Sequence, residues 1–243
     1  MRRARFLPAV ALAALTVGGL SACSVLDHKT FEDDAKVSQK VTSIHLDSGN
    51  GGVKVETSAD ASTISVHRKV DYHGDKPTGT SFHVENGVLT LAGCGHDCGV
   101  DYEVEAPAGL PVTGGTSNGD LKLNGVGRVD VHTSNGEIAV NGATGPVKLR
   151  TSNGDVHVRN VKGGDIDTRT SNGEVTIRSA TPQNIKAHTS SGSLTITVPP
   201  AKYRISADTT NGDKKLAFKD DPSGRYLLDL STTNGDLTVE SAG

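Results

Sequence analysis

The sequence predicts an all-β chain. Its second half reads as a parallel β-solenoid, a β-helix-like stack of about seven two-strand repeats of 17–23 residues, behind an irregular β N-terminal half. The first observation is a recurring pentapeptide. Thr116-Ser117-Asn118-Gly119-Asp120 returns as Thr133-Ser134-Asn135-Gly136-Glu137, Thr151-Ser152-Asn153-Gly154-Asp155 and Thr170-Ser171-Asn172-Gly173-Glu174. Looser copies follow at Thr189-Ser190-Ser191-Gly192-Ser193, Thr209-Thr210-Asn211-Gly212-Asp213 and Thr232-Thr233-Asn234-Gly235-Asp236. The second is strict alternation of apolar residues around each copy, as in Val129, Val131, Thr133 before the turn and Ile138, Val140 after it. Period two is the mark of half-buried strands. The third is the lack of any apolar helical period after residue 23.

In chain order, the first 22 residues read as an export signal. Arg2, Arg3 and Arg5 precede an apolar stretch over 7–20 that falls short of a comfortable membrane span of ~20 residues. Leu20-Ser21-Ala22-Cys23 then resembles the lipobox of bacterial lipoproteins. That resemblance implies diacylglycerol on Cys23 and cleavage before it, which anchors the chain to a membrane without spanning it. Residues 23–40, polar and mixed in charge, read as a lipidated tether. Residues 41–108 alternate less regularly, at 41–46, 53–56, 63–72, 81–84, 88–91 and 100–105, and read as first coils or a capping sheet. Asp47-Ser48-Gly49-Asn50-Gly51 and Glu85-Asn86-Gly87 look like loose relatives of the later turn.

Residues 109–243 hold the repeats. Asn118-Gly119, Asn135-Gly136, Asn153-Gly154, Asn172-Gly173, Asn211-Gly212 and Asn234-Gly235 supply the positive-φ positions of a tight reversal. A flat antiparallel meander and a parallel solenoid both satisfy this local pattern. Over a dozen strands in a meander would expose one continuous apolar face, with no helix to cover it. A solenoid turns two strand rows toward each other and covers itself.

Composition excludes some functions. The chain carries 25 Lys+Arg against 28 Asp+Glu, and loss of residues 1–22 removes three Arg, leaving a net charge of −6. No basic stripe for nucleic acid is expected. No P-loop, G-x-S-x-G elbow or H-E-x-x-H spacing occurs, and neither cofactor nor metal is expected. Cys94 and Cys98, in a Gly-rich loop outside the cytoplasm, read most simply as a disulfide. Free thiols are one alternative. A metal site with His96 is another, and it lacks a fourth ligand nearby. Stacking would align Asp120, Glu137, Asp155 and Glu174 into an acidic column, a candidate for weak cation or glycan binding or else a solvated edge capping turn amides. It would also align His132, Arg150, Arg169, His188, Asp208 and Ser231 outside the preceding strand, first of all a solvated strand face, or else a place where two Arg could meet a teichoic-acid or phospholipid phosphate.

The lipobox, the irregular β half, the Cys pair leading into 100–107 and the iterated Ser-Asn-Gly-acid turns resemble the toastrack-like family of bacterial envelope proteins, which carries the label "putative adhesin". The resemblance covers about 41–243 and implies a β-solenoid-like fold and an extracytoplasmic place on the cell membrane. It transfers no catalytic residue. The expected function is a non-enzymatic, lipid-anchored binding or scaffold module whose partners are cell-wall polymer or another envelope protein. An accessory or sensory role in envelope-stress signalling is the alternative. A Ca²⁺-dependent polysaccharide-active β-helix enzyme is the third.

Overall fold

A computed structural model describes residues 28–242; the signal segment and Cys23 lie outside the described residues. The N-terminal part supplies β1 (His28–Val37), β2 (Ser43–Asn50), β3 (Val53–Ser58), β4 (Ile64–His73), β5 (Phe82–Glu85), β6 (Val88–Ala92) and β7 (Cys98–Pro107). The repeats supply strands in pairs. These are β8 (Val112–Asn118) with β9 (Leu121–Asn124), β10 (Val129–Asn135) with β11 (Ile138–Asn141), and β12 (Val147–Asn153) with β13 (Val156–Val161). Then come β14 (Ile166–Arg169) with β15 (Val175–Ser179), β16 (Ile185–Ser191) with β17 (Leu194–Val198), β18 (Tyr203–Asn211) with β19 (Lys214–Leu216), and β20 (Tyr226–Asn234) with β21 (Leu237–Ser241).

The strands before each turn stack into one sheet and those after it into another, so the chain is a β-solenoid. The ten-strand sheet runs β18-β20-β16-β14-β12-β10-β8-β2-β6-β5, and the eleven-strand sheet runs β1-β4-β7-β3-β9-β11-β13-β15-β17-β21-β19. Between the repeat coils pairing is parallel and residue-for-residue: Val129 faces Val147, Thr133 faces Thr151, and Asn135 faces Asn153. The alternating residues of both sheets close one continuous core, from Ile44 and Val55 through Leu121, Val131 and Ile177 to Leu228 and Val239. At ~25 cal/mol per Å² of apolar surface, this interior is the main stabilising term.

The repeat pentapeptide builds the corner between the sheets, and each residue has a separate task. The inward Thr is buried, yet its hydroxyl donates to the Gly carbonyl of the adjacent coil. Thr133 Oγ1 reaches Gly119 O at 3.2 Å, Thr151 reaches Gly136 O at 3.2 Å and Thr170 reaches Gly154 O at 3.1 Å. The outward Asn side chains form an amide ladder: Asn135 Nδ2 donates to Asn118 Oδ1 at 2.8 Å, Asn153 to Asn135 at 3.0 Å and Asn172 to Asn153 at 2.9 Å. The Gly permits contact that no side chain could. Gly154 has φ +154°, and a Cβ there would lie 1.9 Å from Gly136 O.

Both ends depart from simple serial stacking. At the C-terminal end the last strands, β20 and β21, insert between β16–β17 and β18–β19. The ladders follow the spatial order: Thr232 Oγ1 bonds Gly192 O and Thr209 Oγ1 bonds Gly235 O, each at 2.9 Å. The physical reason is the residue at the inward corner position. It is Leu194 in β17 and Leu237 in β21 but Lys214 in β19, paired directly against Leu237. An ammonium cannot be sandwiched between apolar coils. It is tolerated at the end of the stack, where Lys214 Nζ donates to the edge carbonyl of Ala207 at 2.8 Å. Edge lysines of this kind also discourage pairing with another chain. Tyr203 and Tyr226 become neighbours there, with ring centroids 6.0 Å apart.

At the N-terminal end the coil β6–β7 sits outside the coil β2–β3. Asn50 joins the amide ladder by accepting from Asn118 Nδ2 at 2.8 Å. Glu85-Asn86-Gly87 is not a coil corner. It turns the antiparallel hairpin β5–β6, with φ of 51° at Asn86 and 80° at Gly87, because a two-residue Asn-Gly loop matches strand twist. In the outer coil the corner is closed by the Cys94–Cys98 disulfide, with Cα atoms 5.8 Å apart.

Residues 28–37, expected within the tether, instead form β1, which pairs antiparallel with β4 over its whole length. The cause is Arg68. It occupies an inward position of β4 between Val66 and Val70 and is 5% exposed. A buried guanidinium needs a counter-charge and acceptors. Asp33 of β1 meets its Nε and Nη2, the latter at 2.7 Å, while Ser81 Oγ and Gly79 O accept at 3.0 and 3.2 Å. Tyr102 lies alongside, its hydroxyl 2.7 Å from both Ser81 O and Ala92 O. Burial pushes its pKa up to about 12, so it stays a neutral donor.

Two outcomes are expected. Gly154→Val should destabilise the domain by more than ~1 kcal/mol, read as a lowered urea midpoint, because a β-branched residue resists positive φ and would meet the Gly136 carbonyl. An unchanged midpoint would show that the corner does not impose this contact. The second concerns acid. The hydrogen bond from Arg68 holds the Asp33 carboxyl below its ordinary value of 3.8. Its contribution is therefore present above that value and is lost as pH falls through the lower folded value. The stability gap between wild type and Asp33→Asn should be constant from neutral pH to the mid-acid range and shrink below about pH 4. A gap that stays constant into strong acid would contradict the pair.

Candidate functional site

Every outward residue belongs to a column at the coil spacing of ~4.8 Å, so candidate sites are strips rather than clefts. The acidic column stands just before the post-turn strands and is broken by Ser193 ahead of β17. Asp120 Oδ1 accepts from the backbone N–H of Glu137 at 2.9 Å, Asp155 Oδ1 from that of Glu174 at 2.8 Å, and Asp236 Oδ1 from that of Asp213 at 2.8 Å. Each Asp thus caps the turn of the next coil. Glu137 is taken by another contact, lying 4.0 Å from His157 Nε2. No group of three or more His, Cys, Asp or Glu among the described residues is arranged to hold a metal ion. The column is built into the corner, where Asp120, Asp155 and Asp236 are engaged with backbone amides while Glu174 and Asp213 make no side-chain hydrogen bond among the described residues.

The outside of the ten-strand sheet carries two columns with different logic. One reads Asp130, Lys148, Asp167, Lys186, Asp229 from coil to coil. Opposite charges alternate, with Lys148 Nζ 3.5 Å from Asp130 and Lys186 Nζ 3.0 Å from Asp229. The other reads His132, Arg150, Arg169, His188, then Ser231 and Asp208. Register thus brings the two Arg side by side, as the repeat predicts, while the inserted coil exchanges the last two members. Their side chains are 44% and 47% exposed. Arg150 Nη1 comes within 4.0 Å of Asp130 and Arg169 Nε within 3.5 Å of Asp167. Neither guanidinium makes a hydrogen bond to the protein among the described residues.

A third column, Ser134, Ser152, Ser171 and Ser190, lies just beyond the Arg pair. With the Arg and His side chains it lines a shallow concavity of about 410 Å³. These hydroxyls likewise find no protein partner among the described residues. They occupy the second place of the repeat pentapeptide, between the buried Thr and the ladder Asn, so each faces outward on the same side as the Arg. A larger concavity, about 540 Å³, lies outside the eleven-strand sheet where Ala139 leaves a gap among Lys122, His157 and Arg159. Glu137 of the acidic column borders it.

The sequence anticipated the acidic column, the Arg pair and the Cys pair. It missed the alternating Asp/Lys column, although aligning the repeats three residues before each Thr displays it. It also missed the Arg68–Asp33 contact. The signal there was a strand-like frame, Phe31, Asp33, Ala35, Val37, with one acid where an apolar residue was due. Lipidation of Cys23 falls outside the described residues.

A family model described as Toastrack DUF4097 matches residues 36–240. No curated protein matches the chain. Among solved structures, a "putative adhesin" from Parabacteroides merdae is 15% identical, with a TM-score of 0.43 over 88% of this chain and 97% of that one. A "putative cell adhesion protein" from Clostridium sporogenes is 13% identical, with a TM-score of 0.37 over 88% and 100%. A "putative adhesin" from Bacteroides fragilis is 14% identical, with a TM-score of 0.38 over 88% and 97%. Likeness this low says nothing of what the present chain binds.

If the Asp residues serve as caps, Asp155→Ala should cost about 1 kcal/mol, the worth of a typical hydrogen bond. Asp155→Asn, which keeps an acceptor oxygen, should cost less. Chemical denaturation of both variants checks this, and equal losses would remove the capping role.

Proposed function

The chain belongs to the Toastrack DUF4097 family, and from that premise we propose that it is a non-enzymatic, adhesin-like binding module of the cell envelope. It is held on the extracytoplasmic face of the cell membrane by a lipid on Cys23, and its partner is cell-wall polymer or another envelope protein. The observation that carries this reading is the outer face of the ten-strand sheet. The serine column has no partner in the fold among the described residues, and Arg150 and Arg169, though within 4.0 and 3.5 Å of Asp130 and Asp167, keep N–H donors that make no hydrogen bond to the protein, all in a regular row. Polar groups with partners inside the protein, such as the ladder Asn and the corner Asp, serve the fold. Polar groups without them are available to a ligand. Of the corner carboxylates, Asp120, Asp155 and Asp236 are engaged with backbone amides.

Two measurements test the reading. Cys23→Ser should move the protein from the membrane fraction to the soluble fraction and abolish the mass added by acylation; retention in the membrane would remove the anchor. For binding, full-length protein in neutral vesicles should sediment with purified cell envelopes. Replacing His132, Arg150, Arg169 and His188 together by Ser should abolish that, whereas replacing Thr176, Arg178 and Thr195 on the opposite sheet should not. Equal sedimentation of the two variants would overturn the assignment of the face.

A further inference from the structure

We infer that the strip formed by His132, Arg150, Arg169 and His188 binds an extended polymer whose anionic groups are phosphodiesters. The inference rests on the binding-module reading above and names the ligand class for the same face.

Charge comes first. The chain as a whole is acidic, at −3. In the concavity on this face Arg150 and Arg169 stand with His132, His188 and four serines, and no acid lines it; Asp130, Asp167 and Asp229 lie in the neighbouring column, paired with its lysines or with the two Arg. The larger concavity on the opposite sheet mixes both signs, with Lys122 and Arg159 beside Glu137 of the acidic column.

The arrangement of that charge points to an anion. Like charges one coil apart repel by about 0.9 kcal/mol even in bulk water. The neighbouring column avoids this by alternating Asp and Lys. Two steps do not: Arg159–Arg178 on the opposite sheet, and on this face the Arg150–Arg169 step. It places two guanidiniums in adjacent registers, each steadied by a carboxylate at 4.0 or 3.5 Å and neither making a hydrogen bond with the protein among the described residues. An anion bridging them would relieve the repulsion.

A guanidinium fork engages two oxygens of a carboxylate or of a phosphate alike. Ser152 and Ser171 stand beside the forks with unpartnered hydroxyls, a donor set that also serves the ester oxygens a phosphodiester carries beyond its two charged ones. Shape selects a polymer over a small ion. The strip spans about 14 Å over four coils at the strand spacing, and its concavity is shallow and open along the stack. A single phosphate would use one coil step. A chain of them would use the strip, each further contact being intramolecular.

The test uses full-length protein in phosphatidylcholine nanodiscs and poly(glycerol phosphate) of defined length as probe. Polygalacturonate, inorganic phosphate and phosphatidylglycerol vesicles serve as comparisons. Wild type should retain poly(glycerol phosphate), less so as salt rises. Arg150→Gln/Arg169→Gln should weaken retention about a hundredfold, tenfold for each guanidinium at 1.4 kcal/mol, with an unchanged melting temperature. Asp155→Asn/Glu174→Gln, on the acidic column, should retain it as wild type does. The inference is overturned by no retention, by equal retention in the Arg variant, or by a preference for polygalacturonate, free phosphate or lipid vesicles. If poly(glycerol phosphate) fails while envelope binding still depends on His132, Arg150, Arg169 and His188, the ligand class falls and the binding module stands. If envelope binding ignores those residues, the module reading itself has failed.

Discussion

The close approach of one coil's glycine to the carbonyl of the next is the constraint on which the rest depends. From Gly51 to Gly235, each corner leaves no space for a Cβ against its neighbour. This contact sets the register of every coil, and the buried Thr hydroxyl locks it by bonding the same carbonyl. Once the corner is in register, both flanking strands are too, because a slip of one residue would turn every apolar side chain outward. The corner is therefore more than a turn. It is the part that makes successive repeats superpose rather than merely adjoin.

Strict superposition has an electrostatic consequence. Each outward residue meets its own equivalents above and below, so a repeated charge would form a repelling row. Three solutions coexist on this molecule. Amides pair with themselves, as in the Asn118–Asn135–Asn153–Asn172 ladder. Charges alternate, as in Asp130, Lys148, Asp167 and Lys186. Carboxylates turn to backbone amides, as Asp120 and Asp155 do. The Arg150–Arg169 and Arg159–Arg178 steps follow none of them along their own columns, and the former leans instead on Asp130 and Asp167 of the column beside it.

The ends obey a different requirement, since a solenoid must stop without leaving a sticky edge. At one end, Lys214 in a core position forces its coil outermost and draws the C-terminal strands inside. At the other, β1 and β4 extend one sheet past its partner, and the inner face they expose is filled by Arg68, Asp33 and Tyr102 rather than by more aliphatic residues. The Cys94–Cys98 bridge closes the corner of the outer coil, where the Asn ladder has run out of neighbours.

Much of this was legible in the residues alone. The pentapeptide, its 17–23 residue spacing and the period-two alternation determined the strands, the turns and the two-sheet coil, because those depend on contacts within a repeat and between identical repeats. The acidic and Arg columns followed from the same alignment, and the Cys94–Cys98 bond from the close spacing of the pair in a Gly-rich loop. What the chain order could not supply was the order of the stack, the strand status of residues 28–37 and the partner of Arg68. These were decided in three dimensions, by where a charge at a core position can be tolerated. Asp33 and Arg68 lie 35 residues apart, and neither announces the other. Lys214 looks like any turn lysine until its inward register is known. A repeat encodes its own geometry many times over, whereas an end, or a buried charge, is specified once and only by what happens to pack against it.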